Sequence, residues 1–171
     1  MATNKSPWLK NVFGASEPFR MLAKFATGAS QAIKRGEILE YTGNTDTEMV
    51  PIDSDFVAAA NLAVADEEIK SGDRAGYYWV IVPRPGDVFE FELATATDIA
   101  VGASLYFSAS QKVATTGSNP IGRAVGQEHY PDPQGHLADD ASGDSGTTIK
   151  TTSYVRMVFD NDASWAKAWN Q

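Results

Sequence analysis

The sequence predicts a mainly β chain: one compact β-tulip or barrel-like domain with short hairpins, a flexible N-terminal arm and little helix. Three observations lead there. Between Tyr77 and Gly126, short runs rich in Val, Ile, Phe, Tyr and Thr are punctuated at close intervals by Pro, Gly, Asp or Asn, the spacing of short antiparallel strands. Residues 88–93 alternate strictly, with Val88, Glu90 and Glu92 on one side and Phe89, Phe91 and Leu93 on the other, the mark of a half-buried strand. The 171 residues, 43% hydrophobic and without cysteine, suit a single domain whose core is held by packing alone.

Taken in order, the chain opens with MATNKSPWLKNVFGASEP, where Trp8, Leu9, Val12 and Phe13 are scattered among Pro, Gly and polar residues. That is a poor recipe for a core strand. It reads either as a loosely held terminus or as an arm, residues 1–18, whose aromatic side chains dock on a partner. The β domain is then expected over residues 19–171. Residues 19–26 suit a strand or a single helical turn, and periodicity does not separate the two. Lys34, Arg35 and Gly36 read as a turn, residues 37–41 as a strand, 42–46 as a polar loop and 48–52 as the returning strand. Pro51 has no amide hydrogen and belongs at an edge or strand end.

In FVAAANLAVADEEI the alanines give weak helical propensity between Phe56 and Glu68. Asn61 and a turn at Gly72 leave little room for a long helix, so strand followed by turn is the reading adopted. Residues 77–82 are almost continuously apolar, as in a central strand buried on both faces. Residues 83–87, PRPGD, end it as a rigid, exposed turn. After the alternating strand, residues 98–102 read as a turn. Residues 104–107 and 112–116 then form a hairpin across a four-residue connection. Asn119 and Pro120 restart the chain into residues 121–126, where the glycines permit a bulge, a tight bend or close strand packing. The expected core is Tyr78, Val80, Phe89, Phe91, Leu93, Leu105, Phe107 and Val125.

From Gln127 the composition shifts. QEHYPDPQGHLADDASGDSGTTIK holds two Pro, three Gly and five acidic residues, and a long polar excursion is expected over about residues 127–148. Residues 154–159 return as a strong strand. The tail NDASWAKAWNQ sets Trp165 and Trp169 at i,i+4 on one face of a short helical turn, either a lid on the barrel or an anchor on a neighbouring subunit.

Composition narrows the function. With 14 basic against 22 acidic residues the formal charge is -8, which argues against gripping a phosphate backbone. The absence of cysteine removes thiol catalysis and cysteine-based metal sites. No apolar signal core or membrane-length stretch is present, so a soluble chain is expected. His129 and His136, the two histidines, lie in the polar excursion near Asp139, Asp140 and Asp144, with no calcium-loop or HExxH spacing. Glu90 and Glu92 provide the two carboxylates a glycosidase needs, yet two acids on one strand face are ordinarily its solvated side. No GxSxG elbow or phosphate loop occurs. The expectation is a protein that works by binding, with no catalytic residues, no metal, no cofactor and no direct contact with nucleic acid or membrane.

The order of these pieces resembles the small decoration, or cement, proteins of tailed-bacteriophage capsids. The matching segments are residues 34–39, 85–93, 101–107, 112–115 and the NPIGRAVG stretch at 119–126, so the resemblance runs from Phe25 to Gly126. It implies a structural protein of the virion that binds the outer surface of an assembled, expanded phage head at capsomer junctions and stabilises it. It further implies the major capsid protein as partner and a homotrimer as the working form. Trp8, Leu9, Val12 and Phe13 become the capsid-binding candidates, with Trp165 and Trp169 as an alternative interface. The rival reading is a phage-associated carbohydrate-binding β module or a small β-fold enzyme.

Overall fold

Two sheets share the chain, and three strands of one of them contribute side chains to both hydrophobic cores. The computed structural model describes residues 7–25, 32–41, 48–52, 62–70, 73, 76–125 and 148–160. Within them the strands are β1 (Trp8–Asn11), β2 (Arg20–Phe25), β3 (Ile38–Tyr41), β4 (Glu48–Pro51), β5 (Leu62–Ala65), β6 (Gly76–Ile81), β7 (Asp87–Ala100), β8 (Ser104–Ser108), β9 (Lys112–Ala114), β10 (Pro120–Ala124) and β11 (Thr148–Phe159). One sheet closes into a barrel in the order β2-β4-β3-β5-β6. The other runs β1-β7-β11-β10-β8-β9 and curls back on itself, because β9 also pairs with β7 in parallel at Leu93 and Val113.

Side-chain alternation explains how the two sheets join. In β3, β5 and β6, Ile38, Leu62, Val64 and Ile81 pack into one core with Phe89, Phe91, Leu105, Ile121 and Met157 of the second sheet. Their neighbours Leu39, Ala63, Ala65 and Val80 face the barrel interior with Phe25, Ile33 and Met49. These strands are apolar on both faces, so no polar alternation marks them. The alanines Ala23, Ala63 and Ala65 suit the narrow interior of a five-stranded barrel. In the larger core, Phe159 meets Phe89 and Phe91 edge to face, with centroids 5.1 and 5.8 Å apart, a favoured aromatic geometry.

Several local devices fix the pairing. At Gly122 an added Cβ would lie 2.3 Å from the Val158 carbonyl oxygen and 2.7 Å from the Met157 methyl. The register of β10 on β8 shifts beside it, between Pro120 and Gly122, so this glycine serves a bulge and a close approach together. Gln111, at φ 61° in the 3-10 turn between β8 and β9, reaches across to the barrel. Its Oε1 accepts from the Ile38 amide at 2.7 Å and its Nε2 approaches the Ile52 carbonyl at 3.5 Å. Pro51 ends β4 opposite Leu39, as its missing donor requires.

Most expected elements are in place, and four differ. Residues 98–100 are not a turn: β7 continues through Ala100, where Ile99 pairs with Ile149 of β11, and the chain turns only at Val101 and Gly102. The apolar run at 77–82 is buried on both faces only in its second half. In its first half Tyr77 and Trp79 are exposed while Tyr78 packs on the barrel core. The PRPGD turn is not wholly exposed, because Pro83 and Asp87 are buried. Finally, part of the stretch expected to be a flexible arm, Trp8–Asn11, is strand β1, antiparallel to β7. Of the expected core, Val80, Phe89, Phe91, Leu93 and Leu105 are buried, whereas Tyr78, Phe107 and Val125 are half-buried. The polar excursion beyond Val125 and the tail with Trp165 and Trp169 lie outside the described residues.

Candidate interaction surface

The site is built on a carboxylate. Asp87 opens β7 and is fully buried, 0% exposed. A buried charge persists only where donors replace lost water, and three residues supply them. Trp8 Nε1 and Asn11 Nδ2 donate to Oδ1 at 3.0 and 2.9 Å. The Arg84 guanidinium donates to Oδ2 through Nε at 3.1 Å and to Oδ1 at 3.3 Å, and the Arg84 amide donates to Oδ2 at 3.0 Å. Burial pushes the Asp87 carboxyl up, but the donors from Arg84, Trp8 and Asn11 outweigh it and hold the group below its ordinary range.

This cluster fastens the N-terminal segment. The Glu90 amide donates to the Pro7 carbonyl at 2.9 Å, and the register Trp8–Phe89, Lys10–Val88, Asn11–Asp87 follows, with a bulge at Leu9. The Val12 amide donates to the Gly86 carbonyl at 2.9 Å, Arg84 Nη2 to the Glu17 carbonyl at 2.7 Å, and the Val82 amide to the Phe19 carbonyl at 2.9 Å. Gly86, at φ +83°, completes the turn; a Cβ there would sit 2.5 Å from the Phe13 ring. Residues 7–19 are thus tied down along their length.

The four capsid-binding candidates separate into two roles. Trp8 is half-buried and packs against the larger core, and Leu9 is also half-buried. Val12 and Phe13 are 52% and 79% exposed. Phe13 has its backbone amide bound to Asn11 Oδ1 at 2.8 Å, and the Gly14 amide closes the turn on the Asn11 carbonyl at 3.2 Å. The alternative interface at Trp165 and Trp169 lies outside the described residues.

A second apolar surface was hidden in the sequence. On the outer face of the barrel Leu22 lies opposite Trp79, beside Tyr77, and all three are exposed. Tyr77 and Trp79 sit inside an uninterrupted apolar run, so nothing in the pattern sets them apart from their buried neighbours. The Asp87 cluster was hidden as well: a PRPGD turn announces a bend and gives no sign of an indole donor 79 residues away.

The remaining candidates for chemistry are engaged in ion pairs. Glu92 Oε1 meets Lys112 Nζ at 2.6 Å, and Glu90 Oε2 lies 3.5 Å from Arg156 Nε. The Lys112 ammonium holds the Glu92 carboxyl below its usual value. Asp66 is held between Arg20 and Arg35 at the end of β5. Among the described residues no three His, Asp or Glu side chains converge as metal ligands; His129 and His136 lie outside them.

The arrangement is a β body with apolar side chains, Val12, Phe13, Leu22, Tyr77 and Trp79 among them, exposed at its surface. The pattern of the phage cement protein family matches residues 24–138, covering the barrel from the end of β2 onward, β7 to β10 and the first part of the polar excursion. No curated protein and no solved structure matches the chain. The chain belongs to the phage cement protein family, and its place is in the capsid of the virion.

Proposed function

We propose that this protein binds the outer surface of the assembled, expanded capsid at junctions between capsomers, as a homotrimer in contact with the major capsid protein. Membership of the cement family gives a structural, capsid-stabilising role; the binding mode is argued from the surface. A clamp with affinity only for the assembled shell stabilises that shell by linkage. Engaging several shell subunits at once raises the effective affinity without stronger single contacts.

The observation that carries this reading is Phe13, 79% exposed on a turn whose backbone is bound on both sides. An exposed aromatic on a fixed backbone loses little freedom on docking, which is how hot-spot residues work. Val12 beside it is also exposed, while Trp8 anchors the segment on the larger core and on Asp87. The net charge of -8 supports a protein partner over packaged DNA.

The test is co-sedimentation with empty expanded shells and with unexpanded precursor shells. Binding to expanded shells alone, weakened about tenfold by Phe13→Ala, is the expected result. Equal binding to both shell forms would contradict specificity for the expanded lattice. Unchanged affinity of Phe13→Ala would move the contact elsewhere, to the Leu22–Trp79 face or to Trp165 and Trp169.

A further inference from the structure

We infer that Asn11 is a positioning residue for the shell contact, holding Phe13 in its docking geometry by bridging it to the buried Asp87 carboxylate. The inference rests on Phe13 being the contact residue, as proposed above. Asn11 uses both ends of its amide. Its Nδ2 donates to Asp87 Oδ1 at 2.9 Å and to the Pro85 carbonyl at 3.1 Å, while its Oδ1 accepts from the Phe13 amide at 2.8 Å. One side chain therefore couples the turn carrying Phe13 to the most buried charge in the described structure and to the PRPGD turn.

Within this turn the bond to the Phe13 amide itself comes from the Asn11 side chain. Phe13 has little packing of its own: it is 79% exposed, and its ring lies beside Gly86. Asn11 is the last residue of β1 paired to β7, opposite Asp87; beyond it the Val12 amide is held by the Gly86 carbonyl and the Gly14 amide by the Asn11 carbonyl, while the Phe13 amide between them is held by the Asn11 side chain. Asparagine is suited to this position because its side chain can close a turn on the amide two residues on. Alanine could keep the strand pairing but not the bridge. Aspartate would set a second carboxylate against Asp87.

A double-mutant cycle on expanded shells tests the inference, comparing the parent, Asn11→Ala, Phe13→Ala and the double variant by equilibrium sedimentation. If Asn11 acts through Phe13, Asn11→Ala alone weakens binding about fivefold or more, and the double variant binds like Phe13→Ala alone, within about twofold. Asn11→Ser, whose hydroxyl can still accept from the Phe13 amide, recovers part of the loss. Should Asn11→Ala prove too unstable to assay, Asn11→Ser, which loses the Asp87 arm of the bridge, is combined with Phe13→Ala and read in the same way at a smaller expected loss. Parent-like binding by Asn11→Ala, when Phe13→Ala is weak, overturns the positioning role and leaves the contact intact. A double variant weakened by the product of the two single effects also overturns it, because Asn11 then acts independently. Parent-like binding by Phe13→Ala overturns the contact and the inference together.

Discussion

Asp87 shows how much of this fold hangs on single polar residues. Its oxygens take up donors from Trp8, Asn11 and Arg84, so replacing it strands an arginine and an indole at once. Arg84 is about one third exposed, at 32%, and water will screen part of the loss. Asp87→Asn should therefore cost about 2 kcal/mol at neutral pH, below the full value for breaking a buried pair. Because the folded carboxyl titrates below its ordinary value, its stabilisation is complete above the unfolded value near pH 4 and is lost as pH falls through the folded value. Denaturation of parent and Asp87→Asn from pH 7 down to pH 3 should show the gap closing at the acid end; a gap that stayed constant would contradict the role given to the charge. Phe91 belongs to the same scale. It is buried against Phe89 and Phe159, and Phe91→Ala should cost roughly 3–5 kcal/mol in denaturant unfolding. The two residues differ in legibility. Phe91 was readable from its alternation with Glu90 and Glu92, a local signal. Asp87 was not, because its partners Trp8 and Asn11 lie 79 and 76 residues away and no periodicity links them.

Among the elements, β1 carries the largest correction. Its four residues add an outer strand to the sheet, and the bulge at Leu9 removes the alternation that would have announced a strand. Deleting residues 1–18 takes Trp8 from the core and two donors from Asp87. The loss should be about 3 kcal/mol, or roughly 6–12 °C in thermal midpoint for a chain of this size. An unchanged midpoint would mean that β1 adds nothing to the fold. Gly122 makes a second test at this scale. Alanine there would force its Cβ to within 2.3 Å of the Val158 carbonyl, so β10 or β11 must shift. Gly122→Ala should cost about 1–3 kcal/mol, and wild-type stability would show that the two strands are less closely apposed. The strands with alternation or clear turn residues, β3, β4, β7, β8, β9 and β10, could be read from sequence. The local hairpins β3–β4 and β8–β9 could be read as well, but the parallel β2–β4 and β7–β9 contacts depend on how two sheets close, which no local pattern encodes. Strand β5 illustrates the same limit, since Leu62, Ala63, Val64 and Ala65 are all buried and a helix former such as alanine is recruited because the barrel interior is narrow.

At the scale of the whole molecule, two closed or nearly closed sheets share one core through β3, β5 and β6. Closure leaves few unpaired strand edges, and the shared core couples the barrel to the sheet that carries the N-terminal turn. On the proposed reading, a body of this kind carries load between the capsomers that it touches. Binding that favours the assembled shell must appear as added shell stability, growing with the concentration of free protein above its dissociation constant. Calorimetric melting of expanded shells, bare and saturated with this protein, measures that directly. Stabilisation of the assembled shell predicts that its disruption temperature rises with saturation and rises less with Phe13→Ala at the same total concentration. Shells that bind the protein to saturation yet melt at the temperature of bare shells would contradict it.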